Sequence, residues 1–280
     1  MLYLLLAIAS SALVSLCMRV SEKYVRGSMV MFTANYAVCL AIALLYTGRP
    51  GPASTGSGMT WAVALGAVSG FLYLASFVLL QMNIRHNGVI LSSAAMKLGG
   101  VLVPVVAAVA VFGDKLGWIQ LAGIVIALAA VVLINVEKGS AGQGGKRYWL
   151  VILLLGSGVT DMMVNVYDKT GPAAFKDHYL LFTFLAAMVI SLVMALIKKQ
   201  KPALPDILCG VMIGVPNYFS SRFLLLALGG VPAVIAYPVF SVGTIVVITA
   251  VGALAFRETL TGRKKLALGL ILAALALLNL

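Results

Sequence analysis

Apolar runs of about 20 residues, the length a helix needs to cross a bilayer, follow one another along this chain with only short polar linkers between them. The spans are read at 2–20, 28–47, 59–82, 88–112, 117–136, 148–168, 179–197, 206–228, 232–256 and 264–280. They read as helices, because the runs are continuously apolar where a barrel strand alternates over about ten residues. Composition agrees: 62% of the residues are hydrophobic and 10% are charged, against about a quarter in ordinary domains. The expected product is an all-α integral membrane protein with ten transmembrane helices and no soluble domain. The first run starts at Met1 without a basic leader or a small-residue cleavage site, so it is expected to be a first span and not a signal peptide.

The chain also resembles itself. Residues 66–116 and 210–260 align without a gap at an offset of 144. Gly66 meets Gly210, Gly70 meets Gly214, Ser76 meets Ser220, Gly99 meets Gly243 and Asp114 meets Glu258. The polar linker around 139–147 separates a first five-helix repeat, 1–138, from a second, 148–280. An odd number of spans per half sets the halves in opposite orientations, so two inverted repeats around a central cavity are expected.

The net charge of +12 does not point to nucleic acid, because the basic residues are scattered over short loops. They are topology signals instead. The loops after spans 1, 3, 5, 7 and 9 hold most of them, including Arg26, Lys146, Lys198 and Lys264. The other loops hold only Arg49, Lys115, Lys169 and Lys176. The first set is expected on the cytoplasmic side of a cell (inner) membrane, which leaves both termini non-cytoplasmic. Cys17, Cys39 and Cys209 all fall in apolar runs and read as packing residues.

Polar residues inside the spans form stripes. Ser11, Ser15, Arg19 and Glu22 share one face of span 1, and Ser157, Asp161, Asn165 and Asp168 repeat that spacing in span 6. Span 4 carries Ser93, Lys97, Gly100 and Pro104, and span 9 carries Tyr237, Ser241 and Thr244. Tyr73 in span 3 matches Asn217 in span 8, where Tyr218, Ser221 and Arg222 follow. Polar faces avoid lipid, so spans 1, 3, 4, 6, 8 and 9 are expected to line a wet cavity. Lys97, Asp161 and Arg222 read as deep charges, with Asp161 paired to Arg222 by depth. The expected substrate-binding set is Lys97, Arg222, Asp161, Asn165, Ser93, Tyr237, Ser241, Asn217, Tyr218 and Tyr73.

The repeats, together with the acidic residue after the fourth span of each (VFGDKL at 111–116 and AFRETL at 255–260), resemble the ten-span EamA-like branch of the drug/metabolite transporter superfamily. The likeness covers essentially the whole chain. It departs at Asp114, where the family's usual residue is Glu, and at Ala94, which aligns with Pro238. The resemblance implies a secondary carrier working by alternating access. The residues point to a small polar metabolite with an anionic or zwitterionic group, such as an amino acid or an organic or phosphorylated acid. The alternatives are a proton-coupled exporter of cationic amines or drugs using Asp161, and a non-transporting membrane scaffold. No Walker, HExxH or nucleophile-elbow motif is present. No enzyme activity, cofactor, metal or nucleic-acid partner is expected; the partners are the substrate and the bilayer, and the chain is expected to be a monomer.

Overall fold

The computed structural model describes residues 1–21, 23–47, 57–87, 89–113, 115, 117–135, 148–255, and positions 262, 266, 269, 270, 273, 274 and 277. Nine α-helices occur among the described residues: α1 (Leu2–Ser21), α2 (Ser28–Thr47), α3 (Ser57–Asn87), α4 (Val89–Ala110), α5 (Trp118–Asn135), α6 (Tyr148–Thr170), α7 (Lys176–Ile197), α8 (Leu204–Leu228) and α9 (Ala233–Ala255). Each expected span from the first to the ninth is a helix within a few residues of its expected bounds. The described positions of the tenth are helical too. Asp114, Glu22 and Glu258 lie outside the described residues.

Among the described residues, five segments are long and apolar enough to cross a membrane: Ser28–Thr47, Gly58–Leu80, Tyr148–Thr170, Ala173–Ile197 and Leu204–Leu228. Their outer faces carry bare aliphatic side chains such as Leu45, Val193 and Leu208. In water such surface costs free energy, whereas in lipid it costs nothing. This is a membrane protein built from apolar helices.

The helices gather into two compact units, and each unit draws on both halves of the sequence. Unit 1 holds residues 1–74 and 166–229, and unit 2 holds 75–165 and 230–280. In unit 1, α8 packs against α1 and α2, and α2 packs against α7. Glycines make the close approaches possible. A Cβ on Gly66 would stand 2.7 Å from Phe182 Cβ and 2.9 Å from the Tyr179 carbonyl, while one on Gly70 would strike the Thr183 carbonyl and Ala186. A Cβ on Gly210 would strike the Met31 carbonyl and Ala34, and one on Gly214 would lie 2.7 Å from both the Asn35 carbonyl and Val38 Cβ. The first part of α3 therefore lies on α7 as α8 lies on α2.

Chain direction inside unit 1 follows from these contacts. Tyr46, near the end of α2, stacks on Tyr218 late in α8, and Arg222 pairs with Asp177 at the start of α7. At the other end, Gln200 just after α7 and Asp206 early in α8 both hold the start of α2. So α2 and α8 run one way, and α3 and α7 run the other.

In unit 2, α4 packs against α9 and α5. Gly99 of α4 and Gly158 of α6 meet backbone to backbone, since a Cβ on either would strike main-chain atoms of the other helix. Ser76 and Thr160 share a buried hydrogen bond of 2.7 Å, and Asn83 Nδ2 donates to the Trp149 carbonyl at 3.0 Å. Val242, Ile245 and Ala274 form an apolar core with Leu98, Ile126 and Leu270 around it.

Candidate functional site

The densest polar cluster in unit 1 surrounds Arg222. Its Nη1 donates to the Tyr218 hydroxyl at 3.1 Å and lies 3.2 Å from Asp177 Oδ1, while Nη2 donates to Asp177 Oδ2 at 3.4 Å. The guanidinium lies flat over the Tyr46 ring, 3.6 Å from its centre. Cation, carboxylate, hydroxyl and ring face thus meet in one constellation, a geometry that suits arginine and not lysine.

The carboxylate beside Arg222 is thus Asp177 of unit 1, where the sequence led us to expect Asp161, a residue of unit 2. Asp177 is the second residue of α7, Tyr46 is the last but one of α2, and Arg222 lies in the last two turns of α8. Arg222 therefore sits toward one end of the unit, and its partner comes from the neighbouring helix start. A second ion pair, Lys176 with Asp168, lies at the same end, and Trp61 Nε1 donates to Thr170 Oγ1 there at 3.1 Å. Charged pairs with Trp and Tyr rings are what a helix end at a membrane–water boundary carries.

Inward from Arg222 the cluster becomes aromatic and then polar again. Tyr218 contacts Phe184, and Phe184 contacts both Tyr36 and Tyr73. Tyr73 and Ser221 share a hydroxyl contact of 3.4 Å. Asn217 Nδ2 donates to Asn35 Oδ1 at 3.2 Å, joining α8 to α2. Tyr36 is fully buried and its hydroxyl has no hydrogen-bond partner among the described residues. A buried hydroxyl left unpaired costs about 1–3 kcal/mol. That cost disappears when water or a polar solute reaches the group.

A groove of about 520 Å³ runs between α1 and α8, lined by Leu13, Cys17, Met212, Pro216, Phe219 and Ser10 among others. Its walls are almost wholly apolar. Cys39 and Cys209 are buried and Cys17 is partly buried, all three as free thiols packed among helices.

Unit 2 holds the remaining expected residues. The Asp161 carboxylate lies against the bare face of Gly100, where a Cβ would stand 2.5 Å from Oδ2. Tyr237 donates its hydroxyl to the Asp161 carbonyl at 2.7 Å, so it ties α9 to α6. Ser157 donates to the Met96 and Leu154 carbonyls at 3.2 Å and holds α6 on α4. Ser241 is buried. Asn165 is fully buried, and both polar atoms of its amide lack partners among the described residues. Ser93 and Lys97 belong to α4, and their side chains lie outside the described residues.

The residues that sequence reading missed are Asp177, Tyr46, Tyr36 and Asn35. Asp177 lies just before the expected start of span 7, outside the apolar runs. Its signal was available: consecutive antiparallel helices bring the start of α7 beside the end of α8.

No protein family's sequence profile matches the chain. A relative described as an uncharacterized protein of Haemophilus influenzae is 26% identical over 199 residues, covering 69% of this chain and 67% of its own. A solved crystal structure superposes on 99% of this chain and 94% of its own with a TM-score of 0.77 and 15% identity. At that identity the likeness is one of fold.

Proposed function

We propose that this protein is a secondary carrier that moves a small polar metabolite with an anionic or zwitterionic group across a cell membrane. The observation that carries the reading is the polar interior of unit 1: Tyr36, Tyr73, Asn35, Asn217, Ser221 and Arg222 set inside apolar helices. Lipid gives such groups no partner, and the one left unpaired within the protein, the Tyr36 hydroxyl, lowers stability unless it serves water or a solute. A scaffold gains nothing from them.

The glycine contacts support a pair of inverted repeats and, with them, alternating access. The atoms met by Gly66 and Gly70 on α7 and by Gly210 and Gly214 on α2 correspond, with partners a constant 148 positions apart (31 and 179, 34 and 182, 35 and 183, 38 and 186). The two pairs run in opposite directions. The same feature favours ten spans and membership of the EamA-like drug/metabolite transporters; we take the working form to be a monomer without enzyme activity. The basic residues Arg26, Lys198, Lys199 and Lys201 at one end of unit 1 favour a cytoplasmic location for that end, in the inner membrane of a cell, and non-cytoplasmic termini.

A second reading, a proton-coupled exporter of amines, rests on Asp161, whose carboxylate faces the side-chain-free surface of Gly100. Counterflow in proteoliposomes separates the readings. Loaded carboxylates, phosphates and amino acids that drive uptake of their labelled counterparts support the first. Counterflow of amines alone supports the second, and no exchange of any solute overturns both.

A further inference from the structure

Arg222 is fixed from three directions, and Asp177 from only one. The Tyr218 hydroxyl and the Tyr46 ring hold the guanidinium whether or not a carboxylate is present. Asp177 makes no hydrogen bond among the described residues except to Arg222, and its side chain is 34% exposed against 16% for Arg222. The contacts of 3.2 and 3.4 Å are long for a charge-assisted pair, which closes at about 2.7–2.9 Å. Their pattern is nonetheless that of a ligand: two carboxylate oxygens facing two guanidinium nitrogens.

We propose that Asp177 is an internal stand-in for a carboxylate substrate, which displaces it from Arg222 and unties α7 from α8. This rests on the carrier reading and names its substrate class. The cation is never left bare, since one carboxylate replaces another on it. The displaced Asp177 has somewhere to go, because its side chain is partly exposed and lies in the first turn of α7, where the helix dipole favours an anion. Next to Arg222 stands Ser221, which shares a 3.4 Å hydroxyl contact with Tyr73. The ion pair is thus a latch that the substrate itself opens.

The test is a thermal-shift titration of the full chain in detergent with acetate, benzoate, inorganic phosphate and ethylamine. A ligand of the folded state raises stability with concentration over Kd. Asp177→Asn is expected to lower the half-maximal concentration of acetate or benzoate at least tenfold, Asp177→Glu to keep the wild-type value, and Arg222→Met to abolish the response. Asp177→Ala gives the same comparison if the asparagine variant does not fold. Equal concentrations in wild type and Asp177→Asn overturn the proposal. So does a response to phosphate alone, or one that survives Arg222→Met. Tighter carboxylate binding without carboxylate counterflow in proteoliposomes leaves the latch standing and overturns the carrier. Carboxylate counterflow with the same KM in wild type and Asp177→Asn does the reverse.

Discussion

The Asp206 carboxylate closes the first turn of α2: Oδ1 accepts the Arg26 amide at 2.7 Å and Oδ2 accepts the Gly27 amide at 3.1 Å. Asp206 is fully buried. Orphan amides at a helix start need acceptors, and here the acceptor comes from another helix. Asp206→Ala leaves two amides unpaired and is expected to lower stability by about 2–4 kcal/mol. Asp206→Asn keeps one acceptor and is expected to lose about half as much. Unfolding midpoints in detergent measure both. An unchanged alanine variant would mean that water replaces the carboxylate and that the tie between α2 and α8 contributes little.

Beside it, α7 ends on Lys199 at φ 50°, and the Gln200 amide returns to the Ala195 carbonyl at 3.0 Å. This is a left-handed helix end of the kind glycine favours. A lysine there carries a steric cost that glycine escapes, offset in part by glycine's greater entropy when unfolded. Lys199→Gly is expected to stabilise the protein by up to about 1 kcal/mol. The turn also aims Gln200 Oε1 at the Met29 amide, 3.0 Å away. Gln200→Ala is therefore expected to remove the gain. Thermal unfolding of the two single variants and the double variant decides whether the turn and the cap are coupled in this way.

Gly70 and Gly214 supply a matched pair of packing tests. A Cβ at either position meets a carbonyl of the facing helix, that of Thr183 or Asn35. Backbone cannot turn aside as a side chain can, so each Gly→Ala change is expected to cost about 1–3 kcal/mol by overpacking. Gly230, with nothing within 4 Å of its would-be Cβ, is the control, and its alanine variant is expected to be near neutral. Unequal losses at positions 70 and 214 would count against equivalent roles for the two contacts.

These contacts show which parts of the fold were legible. The glycines were visible as a repeat because a missing side chain is a feature of sequence. Their partners were not, because Met31 matches Tyr179 and Asn35 matches Thr183 only through main-chain atoms. The helices themselves were legible throughout, since each apolar run has one outcome in lipid. The candidate site was half legible. Tyr73, Asn217, Tyr218 and Arg222 were found as polar residues in apolar runs. Asp177 was missed because it stands outside its expected run, and Tyr36 because one tyrosine in an apolar helix looks like packing. Depth within a span did not point to Asp177 as the partner of Arg222 either, because depth says nothing about which helices are neighbours.

The unpartnered hydroxyl of Tyr36 separates a site from a core. If Tyr36 only packs against Phe184, removing the oxygen relieves an unmet hydrogen bond. Tyr36→Phe is then expected to be neutral or stabilising by up to about 1–3 kcal/mol. If the hydroxyl serves a solute, the same change is also expected to weaken ligand stabilisation several-fold, about what one hydrogen bond contributes. Tyr73→Phe, which gives up its contact with Ser221, is expected to weaken ligand stabilisation similarly. The informative result is a Tyr36→Phe protein that melts no lower than wild type yet responds less to ligand. A full ligand response in both variants would remove the two tyrosines from the site.

Lys97→Met and Asp161→Asn test the sign of the proposed substrate. Lys97 lies one turn before Gly100 in α4, and the Asp161 carboxylate lies against Gly100. An ionised group within a span is costly unless a partner or water meets it, at about 2.5–3.5 kcal/mol at a helix centre. Neutralising a residue that holds the substrate therefore relieves the empty protein while weakening the loaded one. Under the anion reading, Lys97→Met is expected to lose counterflow of carboxylates by tenfold or more, with an unfolding midpoint equal to or above wild type. Under the amine reading the same pattern is expected from Asp161→Asn, with amines as the solute and pH dependence abolished. If either variant instead melts well below wild type and transports normally once folded, that residue is a structural charge whose partner was left unpaired. Melting and counterflow measured on the same two preparations separate these outcomes, because only a binding residue moves them in opposite directions.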